Sequence, residues 1–185
     1  MKCDVILAGV GGQGVLSIAA IIARAATASG LNVRQSEVHG MAQRGGAVLA
    51  HLRISDSSIY CDLVPKGAAD LIISMEHLES LRYLDFLSPD GAIVTASEEV
   101  HNIPDYPATE QIDSALKAFP KCTVIDAATR AKEAGLPKAV NMVMIGAASP
   151  HLPLSKEALE NAIRQSFARK GEEVVAANLR AFAGV

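Results

Sequence analysis

Hydrophobic residues fall along the chain in blocks that predict alternating strands and helices. Residues 3–8 contain the continuous apolar run Val5-Ile6-Leu7, which is typical of a strand covered on both faces. The helix predicted over residues 13–29 is apolar around almost its whole circumference, so we expect more than its own sheet to cover it. Four further strands are predicted at residues 33–37, 71–74, 92–95 and 122–125.

Residues 48–54 alternate between apolar and other side chains, which predicts a strand with two different faces. Val48, Ala50, Leu52 and Ile54 fall on one face, and Leu49, His51 and Arg53 on the other. The polar residues 55–58 predict a turn, and residues 59–61 are predicted to return as a short strand. We therefore expect an antiparallel hairpin attached to a parallel sheet.

Helical patterns fill most of the second half of the chain. They cover residues 76–86, 109–118, 141–148, 156–168 and 172–182. A further short helix is predicted between a cap at Asp126 and Gly135, and residues 98–107 are predicted to be a loop. The alternation indicates a single α/β domain over residues 1–185. We expect a doubly wound, mostly parallel sheet with an antiparallel hairpin insertion, in a Rossmann-like three-layer sandwich.

Composition excludes several classes of protein. The 185 residues carry a formal net charge of −3 with scattered Lys and Arg, which argues against a nucleic-acid partner. No apolar run approaches the roughly 20 residues that span a bilayer, and the chain enters its first strand without room for a signal peptide. We therefore expect a cytoplasmic protein without a membrane partner. Cys3, Cys61 and Cys122 are far apart in the sequence, so neither a disulfide framework nor an iron–sulfur cluster held by this chain alone is expected.

A glycine-rich turn joins the first predicted strand to the first predicted helix. Its sequence, Gly9-Val10-Gly11-Gly12-Gln13-Gly14, matches GxGxxG, in which glycines bring backbone N–H groups and a helix N-terminus close to an anion. Glu37 lies where a dinucleotide-binding domain places its ribose-binding carboxylate, but little of the chain is left for a substrate domain. Dinucleotide binding, binding of another anion or cofactor fragment, and simple helix–strand packing all stay open.

A second glycine-bearing segment follows the second predicted strand. Residues 37–46, Glu-Val-His-Gly-Met-Ala-Gln-Arg-Gly-Gly, combine four polar chemistries at the edge where open α/β sheets bind ligands. The guanidinium of Arg44 suits a phosphate or carboxylate, on a ligand or on a partner. No residue is assigned as catalytic or as a metal ligand. The candidate binding residues are Gly9, Gly11, Gly12, Gln13, Gly14, Glu37, His39, Gly40, Gln43, Arg44, Gly45 and Gly46.

These two motifs, in this order and spacing, resemble the gamma-type domain of the pyruvate/2-oxoacid:ferredoxin oxidoreductase family. The resemblance is carried by GVGGQG at residues 9–14 and SEVHGMAQRGGAV at residues 36–48. It extends over essentially the whole chain through PKGAAD at residues 65–70 and Asn-Met at residues 141–142. The wider family often has Arg at position 10, whereas this chain has Val10, which favours the indolepyruvate-type branch and its smaller beta subunit.

The resemblance implies an enzyme subunit whose chemistry lies largely in its partner. The family decarboxylates a 2-oxoacid on thiamine diphosphate, passes single electrons through iron–sulfur clusters to ferredoxin and transfers the acyl group to coenzyme A. Thiamine diphosphate, Mg and the [4Fe-4S] clusters are therefore expected on a larger alpha subunit, with none held by this chain alone. Coenzyme A is expected as a co-substrate, and residues 11–14 and 37–46 are expected to face the alpha subunit. The isolated chain could also form a homodimer through that surface.

Two other functions are consistent with the residues alone. A stand-alone NAD- or flavin-binding Rossmann oxidoreductase would bind its cofactor as an isolated chain. A non-catalytic assembly module would bind a partner whose activity does not depend on this chain. Both leave the second motif unexplained.

Overall fold

A six-stranded mixed sheet forms the centre of the computed structural model, which describes residues 1–38 and 45–185. Its strands lie in the order β2-β3-β1-β4-β5-β6. They are β1 (Lys2–Val10), β2 (Asn32–Val38), β3 (Ala47–Ser55), β4 (Ala69–Ser74), β5 (Leu87–Ala96) and β6 (Cys122–Ile125). The strands predicted at residues 3–8, 33–37, 48–54, 71–74, 92–95 and 122–125 are all present.

One antiparallel strand interrupts an otherwise parallel sheet. β1, β4, β5 and β6 pair in parallel, whereas β3 lies antiparallel between β1 and β2. β3 pairs with β1 over nine residues, from Lys2 opposite Ser55 to Val10 opposite Ala47. The predicted doubly wound, mostly parallel sheet with an antiparallel insertion is confirmed, but the antiparallel pair is β2 with β3 rather than residues 48–54 with residues 59–61.

The strand predicted at residues 59–61 is wrong, because these residues have no strand structure. Both edges of β3 are already paired, one with β1 and the other with β2. Residues 59–61 therefore have no free edge of β3 on which to form a ladder. The short apolar-aromatic run predicted a strand from local sequence alone, but the long-range pairing of β3 with β1 prevents that strand from forming.

Seven α-helices lie among the described residues. They are α1 (Val15–Ala28), α2 (Glu79–Arg82), α3 (Thr109–Leu116), α4 (Ala127–Glu133), α5 (Val140–Ala148), α6 (Lys156–Phe167) and α7 (Glu172–Ala183). The cap predicted at Asp126 is present, since its carboxylate accepts the backbone N–H of Thr129 at 2.9 Å. The helices predicted after residue 108 agree with the structure to within about two residues at each end.

The long helix predicted over residues 76–86 is wrong, because only one turn of α-helix and a 3₁₀ turn form there. Side chains compete with the backbone for its hydrogen-bonding groups. The hydroxyl of Ser74 donates to the carbonyl of Glu76 at 2.6 Å, and the hydroxyl of Ser80 donates to the carbonyl of His77 at 2.6 Å. These bonds offer the chain an alternative to the helical ladder and hold it in an irregular turn after β4.

Both faces of the sheet are covered, as the apolar run in β1 predicts. Val5 and Leu7 of β1 pack in one core with α1 and α5, while Ile6 packs in a second core with Ile112 and Leu116 of α3. The three-layer arrangement is uneven, since α1 and α4 to α7 belong to the first core. The result is a Rossmann-like sandwich with one thick and one thin helical layer.

The nearly all-round apolar surface of α1 is covered within this chain. α1 packs against β3 on one side and against α5 and α6 on the others. Ile18 and Ile22 are fully buried there. The composition of α1 therefore needs no second subunit to explain it.

Candidate functional site

The glycine-rich turn between β1 and α1 is held by packing at its two ends. Gly14 has a left-handed backbone, φ +79°, and a Cβ placed on it would lie 2.5 Å from the side-chain nitrogen of Asn141. That same nitrogen donates to the carbonyl of Gly14 at 2.9 Å. A Cβ on Gly9 would lie 2.8 Å from Cγ2 of Val15. Close packing therefore accounts for two of the motif's glycines.

The structure places Gly45 and Gly46, the last two residues of the second glycine motif, beside the first motif. The backbone N–H of Gly11 donates to the carbonyl of Gly46 at 2.8 Å, and the N–H of Gly45 donates to the carbonyl of Gly11 at 3.4 Å. Glu37 lies on the exposed edge strand β2, opposite Ala50 of β3. The candidate residues His39, Gly40, Gln43 and Arg44 lie outside the described residues.

The side chain of Gln13 fastens the first glycine loop to the end of β4. Its amide oxygen accepts the backbone N–H of Val10 at 2.7 Å, and its amide nitrogen donates to the carbonyl of Met75 at 3.0 Å. Both polar atoms of the amide are therefore engaged within the chain. Ligand binding by Gln13 stays a prediction, and its visible contribution is to hold the loop in place.

A cavity of about 350 Å³ lies beside this loop. It is lined by Val10, Gly11, Gly12, Gly14, Val15, Leu16 and Val48. A Cβ on Gly12 would meet nothing within 4 Å, so the backbone is open to an approaching group there. Backbone amides and aliphatic side chains can hold and orient a ligand, but they supply no acid or base. A larger groove of about 840 Å³ lies between α6 and α7, and its lining contains no residue of either motif.

Sequence reasoning missed Glu76, a buried carboxylate that follows β4. Only 1% of this residue is exposed. Its carboxylate accepts the backbone N–H of Val100 at 3.0 Å and that of Glu79 at 2.7 Å, and it also accepts the hydroxyl of Tyr106. Burial, followed by the bond to Glu76, raises the pKa of Tyr106, which keeps its phenol protonated as the donor. The only sequence signal was an acidic residue in an apparent helix.

The loop after β5 reaches the glycine motifs, although the sequence showed it only as a polar connection. The side-chain nitrogen of Asn102 donates to the carbonyl of Gly45 at 2.8 Å. Next to it, the ring of His101 stacks on Tyr106 with the centroids 4.2 Å apart. A nitrogen of the His101 ring lies 3.0 Å from a carboxylate oxygen of Glu99. Polar side chains thus line the carboxyl ends of both β4 and β5.

Two neighbouring glutamates in this loop have opposite electrostatic environments. Glu98 is half-buried, and its Oε2 has no hydrogen-bond partner among the described residues. Burial raises the pKa of the Glu98 carboxyl. Hydrogen bonds from Thr109 and His101 instead lower the pKa of Glu99. The folded state therefore favours protonated Glu98 and ionised Glu99.

This difference gives a pH-dependent prediction. Ionised Glu98 opposes folding above the ordinary carboxyl pKa of about 4.3, because the folded state binds its proton more tightly than the unfolded state. We expect the Glu98→Gln variant to gain stability relative to the unmodified chain as pH rises from about 4.5 to about 7.5. Urea unfolding at several pH values measures this difference.

Glu99→Gln is the matched control for that experiment. Ionised Glu99 favours folding, so its replacement should lose relative stability as pH rises, mostly below about pH 5. A stability difference for Glu98→Gln that stays flat, or that changes in the same sense as Glu99→Gln, would contradict the assignment of these environments.

The described residues offer no site for a metal ion. Within residues 1–38 and 45–185, no group of three or more His, Cys, Asp or Glu is arranged to hold one. The three cysteines differ in their surroundings: Cys3 is buried, Cys61 is exposed and Cys122 is half-buried. No helix in this part of the chain is long and apolar enough to cross a membrane.

Comparison with known proteins identifies the family. The pyruvate ferredoxin/flavodoxin oxidoreductase family matches residues 4–184, nearly the full chain. The chain belongs to this family. Among its relatives is the indolepyruvate oxidoreductase subunit IorB of Archaeoglobus fulgidus, which is 38% identical over 192 residues. That match covers 98% of this chain and 92% of the relative.

Solved structures of the oxidoreductase family share the fold. The gamma subunit of a keto/oxoacid ferredoxin oxidoreductase from Geobacter sulfurreducens matches with a TM-score of 0.69 and 27% identity, covering 97% of this chain and 94% of that one. A 2-oxoglutarate:ferredoxin oxidoreductase from Magnetococcus marinus, with 2-oxoglutarate, coenzyme A and succinyl-CoA bound, matches with a TM-score of 0.75 and 26% identity. The match covers 99% of this chain but spans 30% of that chain.

These oxidoreductase relatives bear on one of the functions that the residues alone left open. They are subunits or parts of 2-oxoacid:ferredoxin oxidoreductases, and they give no support to a stand-alone NAD- or flavin-binding enzyme.

Proposed function

We infer that this chain is the small subunit of an indolepyruvate:ferredoxin oxidoreductase. It supports the oxidative decarboxylation of aryl-pyruvates to aryl-acetyl-CoA, and the larger subunit passes the electrons to ferredoxin. The observation that carries this inference is the similarity to an indolepyruvate oxidoreductase subunit over 98% of this chain and 92% of the relative. The match at nearly full length on both sides favours the same role in a complex.

The chemistry of the described residues supports a partner that holds the catalytic cofactors. Backbone amides, glycines and aliphatic side chains dominate the cavity at the glycine loop. The cysteines occupy a buried strand, an exposed loop and an edge strand, so they do not form a cluster site. We place thiamine diphosphate, Mg and the [4Fe-4S] clusters on the larger alpha subunit. The small subunit contributes shape and hydrogen bonds.

The carboxyl edge of the sheet is the surface that we assign to the partner and to coenzyme A. The two glycine motifs meet there, and the open backbone at Gly12 adjoins a cavity of about 350 Å³. The structure of the similar 2-oxoglutarate:ferredoxin oxidoreductase from Magnetococcus marinus has coenzyme A bound, which supports the choice of ligand. We also propose that the protein is cytoplasmic and that the isolated chain can self-associate through this surface.

Arg44 provides a test of the second motif. Because a guanidinium pairs with phosphate or carboxylate in a fixed geometry, we expect Arg44→Ala to weaken assembly or coenzyme A use by about tenfold, or ~1.4 kcal/mol. The subunit should stay folded. Titration of the large subunit and coenzyme A kinetics measure the effect. Arg24→Ala, at an exposed position on α1, is the control. Unaltered assembly and unaltered kinetics in Arg44→Ala would remove Arg44 from the site.

A binding comparison tests the subunit function itself. The purified chain is titrated with NADH and with FAD, and it is also mixed with the candidate large subunit for size-exclusion chromatography. We expect co-elution with the large subunit and no saturable binding of either nucleotide. Separate elution together with tight NADH or FAD binding would overturn the subunit function in favour of a stand-alone oxidoreductase.

A further inference from the structure

Three loops at the carboxyl edge of the sheet form one hydrogen-bonded network. The network consists of the glycine loop after β1, the Gly45-Gly46 segment before β3 and residues 97–108 after β5. Met75 and Glu76, which directly follow β4, connect to two of these loops. These hydrogen bonds join residues that are far apart in the sequence, so no local sequence motif predicts them.

Met75 anchors the first part of the network. Its carbonyl accepts the amide nitrogen of Gln13 at 3.0 Å, and its own N–H donates to the carbonyl of Ala8 at 2.9 Å. The position of the glycine loop is therefore fixed relative to the end of β4. Gly11 of this loop then exchanges hydrogen bonds with Gly45 and Gly46.

Glu76 anchors the second part. Its buried carboxylate accepts the N–H of Val100 at 3.0 Å, and the carbonyl of Val100 accepts the N–H of Asn102 at 2.7 Å. The side-chain nitrogen of Asn102 then donates to the carbonyl of Gly45 at 2.8 Å. The path from Met75 through Gly11 and the path from Glu76 through Asn102 both end at Gly45, which closes the network.

We propose that the loop of residues 97–108 is a third component of the coenzyme A site and that Asn102 is its positioning residue. This proposal rests on the function proposed above. Asn102 holds Gly45-Gly46 against Gly11 and so fixes the backbone that the ligand meets. It acts through Gly45 and takes no part in the reaction.

An exposed residue is suited to this role because its loss leaves the core intact. Asn102 lies on the surface, and the buried anchor of its loop, Glu76, keeps all three of its donors when Asn102 is replaced. What changes is the placement of Gly45. Small displacements of groups that position a substrate lower activity far more than they lower stability.

The first experiment measures the backbone directly and does not require enzymatic activity. Hydrogen–deuterium exchange of the isolated chain is compared with that of the Asn102→Ala variant. We expect faster exchange in the variant at residues 45–47 and in residues 9–14, with an unchanged urea midpoint. Asp105→Asn, an exposed substitution in the same loop, is the control and should leave exchange at residues 9–14 and 45–47 unchanged. Unchanged exchange in Asn102→Ala would overturn the positioning role.

The second experiment measures kinetics in the complex with the large subunit. Because positioning affects binding of the ligand rather than the chemistry on the partner, we expect Asn102→Ala to raise the KM for coenzyme A by about tenfold. The kcat and the KM for the 2-oxoacid should stay near those of the unmodified complex. Asn102→Gln keeps the amide donor and should recover part of the loss.

The outcomes separate the two proposals. An inactive complex of unmodified subunits contradicts the proposed function, whatever the exchange experiment shows. An active complex in which Asn102→Ala leaves the KM for coenzyme A unchanged overturns the assignment of Asn102. A fall in kcat and in thermal stability at constant KM overturns it as well, since that pattern indicates a purely structural residue.

Discussion

Replacing Arg53 by methionine should lower the free energy of unfolding by about 3 kcal/mol. Arg53 on β3 lies directly opposite Asp4 on β1, and Asp4 is fully buried. The guanidinium donates to both carboxylate oxygens, at 2.8 and 3.2 Å, and to the carbonyls of Cys61 and Leu63. Among the described residues, the variant leaves Asp4 with only the exposed Lys2 as an ion-pair partner, and it releases the loop after β3. Urea unfolding of the purified chain measures the loss.

Arg34→Met is the matched control for this prediction. Arg34 on β2 lies directly opposite Arg53 on β3, so the two side chains lie on the same face of the sheet. Its side chain is 58% exposed, against 16% for Arg53, and its ion pair with Asp62 is 3.7 Å long. An exposed pair of this kind contributes at most about 1 kcal/mol. Equal losses in the two variants would contradict the importance of the buried pair.

Replacing Gly14 by alanine should lower the free energy of unfolding by about 2–3 kcal/mol. A left-handed backbone conformation strains any residue with a Cβ. At Gly14 the new Cβ would also lie 2.5 Å from the amide of Asn141, which would be displaced from its bond to the Gly14 carbonyl. Since Gly14 begins α1 at the glycine loop, we also expect lower activity in the complex. Thermal unfolding and coenzyme A kinetics measure the two effects.

Gly30→Ala separates backbone strain from the collision. Gly30 has nearly the same φ as Gly14, +77° against +79°, but a Cβ there would meet nothing within 4 Å. Its alanine variant should show only the strain, about 1 kcal/mol, and unchanged kinetics. Equal destabilisation of the two variants would contradict a destabilising collision between the new Cβ and the side chain of Asn141.

Much of the fold could be predicted because its signals are local. The apolar run in β1, the alternation in β3 and the cap at Asp126 each depend on residues close in sequence, and each is confirmed. The errors at residues 59–61 and 76–86 have long-range or side-chain causes. In the first, β1 already occupied the edge of β3, and in the second, the hydroxyls of Ser74 and Ser80 competed with the helical ladder.

The candidate site was predictable only in part. The two motifs are recognisable in the sequence by their glycines. The contact between Gly11 and Gly46 could be expected, because both residues lie at the same edge of the sheet. Glu76 and Asn102 belong to no recognisable sequence motif, because a glutamate after a strand and an asparagine in a polar loop are common residues. Their significance comes from hydrogen bonds to residues 24 and 57 positions away in the sequence.

Reconstituted activity tests the central claim most directly. Anaerobic reduction of a viologen dye by indolepyruvate and coenzyme A is measured for this chain alone, for the large subunit alone and for their mixture. We expect rapid reduction only in the mixture, with a rate that saturates as this chain is added. If the large subunit is fully active alone, or if the mixture gains nothing over the separate subunits, this chain is not the small subunit of that enzyme.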